Sequence, residues 1–242
     1  MNLIFLMGNT IIGKDSYPLY LTEITPITLL EKQIKFAQLL KPSNIIFCIL
    51  KSDIDSFNVD SIIKCLEPKA KIVILEQSTK GALCTALLAS SYVDNEEELL
   101  IMAIDDFVDE SYQTILDQFR KKDADAGVVS FTSVHPRYSF MLLDKAGRPI
   151  EFVEKRPISK NALASFYYYK QGEAFVACAK NVIRKDNAIK GAFFISQTMN
   201  EMILKQKNIE IYKICNENFF PLKTQLQIAE YLSEYKDRKN SK

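Results

Sequence analysis

Short apolar runs alternate with longer stretches of helical periodicity along the first half of the chain. Asn2 to Met7 is apolar and closes at Gly8, and Asn44 to Leu50, Lys71 to Leu75 and Leu99 to Ile104 repeat the pattern. Continuous apolar runs of this length, rich in Ile and Leu, predict strands buried on both faces. Between them, Ile27 to Leu40 carries apolar residues at helical spacing until Pro42, and Ile62 with Ile63 predicts a short helix before Pro68. Ala82 to Tyr92 opens as a helix after Gly81, and Tyr112 to Arg120 follows the fourth strand as another. This βαβα rhythm predicts a mainly parallel sheet flanked by helices.

The second half changes character. Gly127 to Thr132 reads as a strand, and Phe140 to Val153 as two strands joined by a turn around Lys145-Ala146-Gly147-Arg148. Phe166 to Tyr169 are strand residues expected to pack on both faces of the sheet. Helical stretches follow near Glu173 to Ile183, Gln197 to Lys205 and Gln225 to Lys236. No repeat or linker intervenes, so the second half extends the same sheet. The expectation is one α/β domain over residues 1–236, a three-layer α/β/α arrangement on a mostly parallel mixed sheet, with a frayed basic tail over 237–242.

Composition narrows the function classes. A chain of 242 residues with 48% hydrophobic content builds one sizeable core. It contains no apolar run of about 18 residues, the length a spanning helix needs. The apolar N-terminus lacks the basic segment of a signal peptide and reads as a first strand. Five scattered cysteines without metal-ligand spacing predict free, buried thiols of a cytoplasmic protein. A net charge of +1 gives no electrostatic reason for a nucleic-acid or anionic-lipid partner.

Ligands of open α/β sheets gather at the carboxyl ends of strands, where Gly8, Asp105 and Lys155 fall. In Glu154-Lys155 the ammonium suits a phosphate and the carboxylate suits hydroxyls, so the pair fits a phosphorylated, hydroxyl-rich ligand. Successive strand side chains face opposite ways, so both reach one ligand only where the strand ends, which Pro157 favours. Asp105 and Asp106 close an apolar strand, either as a magnesium ligand beside nucleotide phosphates or as the start of a polar loop. Gly81-Ala82 opens a helix whose backbone either contacts a nucleotide or merely starts the helix. Residues Gly8 to Asp15 fit the phosphate-cradling pattern G-x-x-x-x-G-K through Gly13 and Lys14, but Asp15 stands where a Ser or Thr should hold magnesium. Pro18 also interrupts the helix that pattern requires, so a P-loop NTPase is the weaker alternative. His135 precedes Pro136 in a loop and reads as structural.

These residues together resemble a bacterial sugar-phosphate nucleotidylyltransferase of the GT-A-like nucleotidyltransferase superfamily, in particular its capsule and surface-polysaccharide group. The similarity spans nearly the whole chain: YPLYLTEI with LLEKQI, TKGALCTALLAS, AIDDFVDESY, HPRYSFMLLDKAGRPIEFVEKRPISKNA and GAFFISQTMNEMI. It implies that Asp105 binds Mg²⁺, that Glu154 and Lys155 hold the sugar phosphate, and that Gly8, Gly13, Gly81 and Ala82 meet the nucleotide. Lys14 would meet the β/γ-phosphates, with Asp106 behind Asp105 or capping a helix. The implied substrates are an NTP and a phosphorylated small-molecule acceptor, with a homo-oligomer left open. The chain departs from the family where GNTIIGK replaces a glycine-rich loop, where Tyr17 replaces a lysine, and where Lys223-Thr224-Gln225 stands for Gly-Thr-Pro. A catalytically silent nucleotide- or nucleotide-sugar-binding homologue therefore stays open beside the enzyme.

Overall fold

The computed structural model describes residues 1–8 and 17–240, with side chains through 235. The chain opens with β1 (Asn2–Met7), α1 (Leu29–Leu39) and β2 (Asn44–Leu50). Helices α2 (Lys51–Phe57) and α3 (Val59–Leu66) lead to β3 (Lys71–Leu75), then α4 (Ala82–Leu87), α5 (Ser90–Val93) and β4 (Leu99–Ala103). The short strand β5 (Asp106–Val108) precedes α6 (Tyr112–Lys121), β6 (Ala126–Thr132), the hairpin β7 (Ser139–Leu143) and β8 (Pro149–Glu154), and β9 (Asn161–Tyr169). Helices α7 (Gly172–Arg184) and α8 (Ser196–Leu204), strands β10 (Ile209–Lys213) and β11 (Phe219–Pro221), and α9 (Gln225–Asn240) complete it.

The main path of the nine-stranded sheet runs β10-β6-β9-β4-β1-β2-β3. Strands β1 to β4 pair in parallel, whereas β9 lies antiparallel between β4 and β6. That inserted strand makes the sheet mixed, as expected of the second half. Alternation along β1 explains the layers: Leu3, Phe5 and Met7 enter one core with α1, α3, α6 and α9, while Ile4 enters the other with α4, α5, α7 and α8. The aromatic run divides in the same way, Phe166 and Tyr168 to one core and Tyr167 and Tyr169 to the other. This is the three-layer α/β/α architecture.

Several local expectations need correction. The stretch Ala82 to Tyr92 is two helices broken at Leu88 and Ala89, not one. Helix α2 was not foreseen, because KSDIDSF carries too few apolar residues for a helical stripe. Helix α9 continues to Asn240, through residues expected as a tail. All five cysteines are free, but Cys65 and Cys215 are exposed. Among the described residues no helix is long and apolar enough to cross a membrane.

The small sheet β5–β11 matters most for the site. Its antiparallel register sets Pro221 against Asp106, and Leu222 N–H donates to the Asp105 carbonyl at 2.7 Å. Gln33 of α1, fully buried, donates from Nε2 to the carbonyls of Ile104 and Asp106 at 3.2 Å each, and its Oε1 accepts from Tyr112 OH at 2.9 Å. Gln33→Leu would take the donor from two buried carbonyls and the acceptor from the Tyr112 hydroxyl, at about 1–3 kcal/mol for each carbonyl that stays dry. We expect a clear fall in the urea midpoint together with weakened nucleotide binding. An unchanged midpoint would show that the Asp105-Asp106 segment holds its shape without Gln33.

Candidate active site

Parallel pairing aligns the carboxyl ends of β1 and β4, with Leu6 opposite Ala103 and Ile104 N–H donating to the Leu6 carbonyl at 3.2 Å. A cleft opens there in two lobes of about 380 and 370 Å³. The lobes share Leu6, Ala82, Ala103, Lys155, Phe194 and Lys223. Two ammonium-bearing side chains therefore stand at the junction of the lobes.

The first lobe holds the residues expected to meet a nucleotide. Gly8, Gly81, Ala82 and Asp105 line it, with Tyr20, Ser78 and Thr79. Gly8 is placed by the end of β1, and its carbonyl accepts from Ser78 Oγ at 3.4 Å. Gly81 caps α4 with φ 104° and ψ 170°, a conformation essentially confined to glycine. It is held against the segment before α8, where Phe193 N–H donates to the Lys80 carbonyl at 2.8 Å and Leu83 N–H donates to the Phe193 carbonyl at 3.2 Å. Gly13 and Lys14 lie outside the described residues.

The second lobe is lined by Asp106, Arg137, Tyr138, Ser139, Glu154 and Ser165, with Lys155 and Lys223 at its mouth. Glu154 is the last residue of β8, and Lys155 leaves the strand at φ 54°, its N–H donating to the Tyr138 carbonyl at 3.0 Å. The left-handed turn is how neighbours in sequence come to serve one cleft. Lys155 Nζ lies 4.8 Å from the Phe194 ring centroid, a cation–π contact that carries the ammonium over the lobe junction. Glu154 is buried, and its Oε1 accepts from the hydroxyls of both Ser139 and Ser196. Burial raises its pKa against the pull of those two hydroxyls and of Lys155 and Lys223.

The aspartate pair behaves differently from the expectation. Asp106 does not cap a helix: Ser111 caps α6, its Oγ accepting from Thr114 N–H at 3.2 Å. Asp106 is instead a buried strand residue whose Oδ2 accepts from Ser165 Oγ. Its Oδ1 has no well-aligned hydrogen bond among the described residues, yet Lys223 Nζ stands 2.9 Å away. The same ammonium is 3.8 Å from Asp105 Oδ1. Burial pushes the Asp105 pKa up to about 6, opposed by Lys223 and reinforced by Asp106. Burial pulls the Lys223 pKa down, but Asp106 and then Asp105 outweigh it, so the net shift is upward and the ammonium stays charged.

Lys223 is the cleft residue that the sequence reading does not pick out as part of the site, since it appears there only as a departure. The pattern Thr224-x-x-Gln227 carried a local signal, because it marks a helix start. Gln227 N–H donates to Thr224 Oγ1 at 3.2 Å, and Lys223 N–H donates to Gln227 Oε1 at 3.0 Å. Arg137 was likewise missed. His135 lies in its loop, its Nδ1 accepting from Arg137 N–H at 3.2 Å.

Comparison with known proteins agrees with this architecture. The sequence profile of the family described as Nucleotidyl transferase matches residues 27–220, and the chain belongs to that family. Among solved structures, a nucleoside-diphosphate-sugar pyrophosphorylase from Vibrio cholerae RC9 superposes with a TM-score of 0.78 at 21% identity, over 96% of this chain and 100% of that one. A putative glucose-1-phosphate thymidylyltransferase from Bacillus anthracis, solved with a sucrose, gives 0.77 at 16% identity, over 96% and 94%. At such identities the likeness establishes the fold. No match is found among curated proteins.

Sugar nucleotidyltransferases generally depend on a divalent metal. The residues here do not fit one, because the two carboxylates that would hold it already face the Lys223 ammonium, at 3.8 Å from Asp105 Oδ1 and 2.9 Å from Asp106 Oδ1. Magnesium takes near-octahedral oxygen donors at about 2.0–2.1 Å, a space that Lys223 fills from one side.

Proposed function

We propose that the chain transfers a nucleoside monophosphate from an NTP to a sugar phosphate or related phosphorylated metabolite. The observation that supports this most directly is a cleft of two lobes meeting at Lys155 and Lys223, in a member of the nucleotidyl transferase family. The first lobe takes the nucleotide against Gly8, Gly81 and Ala82. The second takes the acceptor, with Glu154 near its hydroxyls and Lys155 on its phosphate.

In this reading an acceptor phosphate oxygen attacks the α-phosphorus in line. A new P–O bond forms, the bond from the α-phosphorus to the oxygen bridging to the β-phosphorus breaks, and pyrophosphate leaves with that electron pair. The attacking oxygen is already anionic, so no general base is needed, and rate comes from alignment and from cations at the developing charge. The magnesium ion expected on Asp105 is not built into the scheme, because Lys223 stands at that carboxylate. A role in surface-polysaccharide precursor synthesis follows from the sequence resemblance.

The test is pyrophosphate release across the common NTPs, each with and without sugar phosphates and other phosphorylated metabolites. Release that requires one acceptor is the expected result, and acceptor-independent NTP hydrolysis would sink the proposal. The ammonium between the two carboxylates also favours a second reading, a silent nucleotide-sugar-binding homologue. Thermal stabilisation by a nucleotide-sugar without any pyrophosphate release would select it.

A further inference from the structure

The chain carries its own cation at the lobe junction. We propose that the Lys223 ammonium takes the place of a protein-bound divalent metal, neutralising Asp105 and Asp106 and facing the phosphates at the junction, so that the site does not recruit Mg²⁺.

The donor set argues for it first. Asp106 Oδ2 accepts from Ser165, and the other oxygen of Asp106 and Oδ1 of Asp105 both face a single ammonium. The buried Asp106 Oδ1 lacks a well-aligned hydrogen bond and so calls for a cation, and the ammonium at 2.9 Å supplies one. That distance is ordinary for a charge-assisted contact of about 2.7–2.9 Å and needs no octahedral shell. A divalent ion arriving at the same oxygens would meet a fixed positive charge at contact range.

The backbone argues for it next. Lys223 is no stray surface lysine: Leu222 before it is bonded to the Asp105 carbonyl, and its own N–H is held by Gln227 at the start of α9. The side chain lines both lobes. It therefore reaches the carboxylates from a fixed root, on the cleft side, where a phosphate at the junction would be in view. The statement about phosphate rests on the transfer reading above, whereas the statement about metal does not.

The test titrates Mn²⁺ into the full chain without nucleotide, followed by EPR, for the wild type, K223D, K223M and K223R, with melting curves to confirm folding. The wild type and K223R should leave the Mn²⁺ signal free, whereas K223D, which adds a third carboxylate, should bind the ion. In a second arm, inorganic tripolyphosphate in excess EDTA should bind the wild type and K223R, with affinity for K223M lower by about tenfold or more. Mn²⁺ binding by the wild type overturns the inference, as does tripolyphosphate binding in EDTA that K223M leaves unchanged or that the wild type lacks. If K223D fails to fold, the wild-type titration and K223M still decide. A wild type that binds tripolyphosphate without metal, yet releases no pyrophosphate with any acceptor, would end the transfer reading and leave this inference standing.

Discussion

Lys155→Ala should lower kcat/KM for the acceptor by about 10² to 10³, the order of the cost of removing one preorganised donor from a site of developing negative charge. The substitution is clean because Lys155 sits at φ 54°, where alanine and lysine carry the same steric cost, so the backbone has no new reason to move. What leaves is the ammonium held over Phe194 at the lobe junction. Acceptor binding should suffer more than triphosphate binding, since Glu154 and the second lobe lie beside it. Steady-state kinetics with each substrate varied in turn reads the difference. Unchanged acceptor parameters would remove Lys155 from the acceptor phosphate.

Gly81→Ala should be the most damaging single methyl group in the cleft. A Cβ there would lie 2.3 Å from the Phe193 carbonyl oxygen and 2.8 Å from its nitrogen, and both partners are backbone. Neither can swing aside, because those atoms are hydrogen-bonded to Lys80 and Leu83. The backbone strain at φ 104° and the clash together cost roughly 3 kcal/mol or more. Gly147→Ala provides the control, with φ 79° in the β7–β8 turn and nothing within 4 Å of its Cβ, and should cost only about 1–2 kcal/mol of conformational strain. Urea unfolding of the two variants separates clash from dihedral strain, and nucleotide titration reports the deformed first lobe. Equal losses in the two variants would show that contact with Phe193 is unimportant.

The sheet was legible because its evidence is local. Asn2 to Met7, Asn44 to Leu50 and Lys71 to Leu75 occupy the bounds that their apolar runs predict. Strands β5 and β11 span three residues each, and β10 carries Glu210 inside its run, so none shows the continuous apolar pattern that marks β1 to β4, and their partners define them. The cleft was legible in part for the same reason. Gly8, Asp105 and Lys155 line it because they follow the ends of strands whose ends a sequence reveals.

By itself, then, the sequence determined the layers, the strand ends and the residues they deliver, because burial period and backbone propensity act within a few positions along the chain. Only the tertiary structure decided the charge balance at the lobe junction. Lys223 and Asp106 meet through the β5–β11 pairing of segments far apart in sequence, and no local pattern encodes which ammonium will face which carboxylate. Electrostatic partnership depends on distance in space, so the cation at this site became visible only once the chain had folded back on itself.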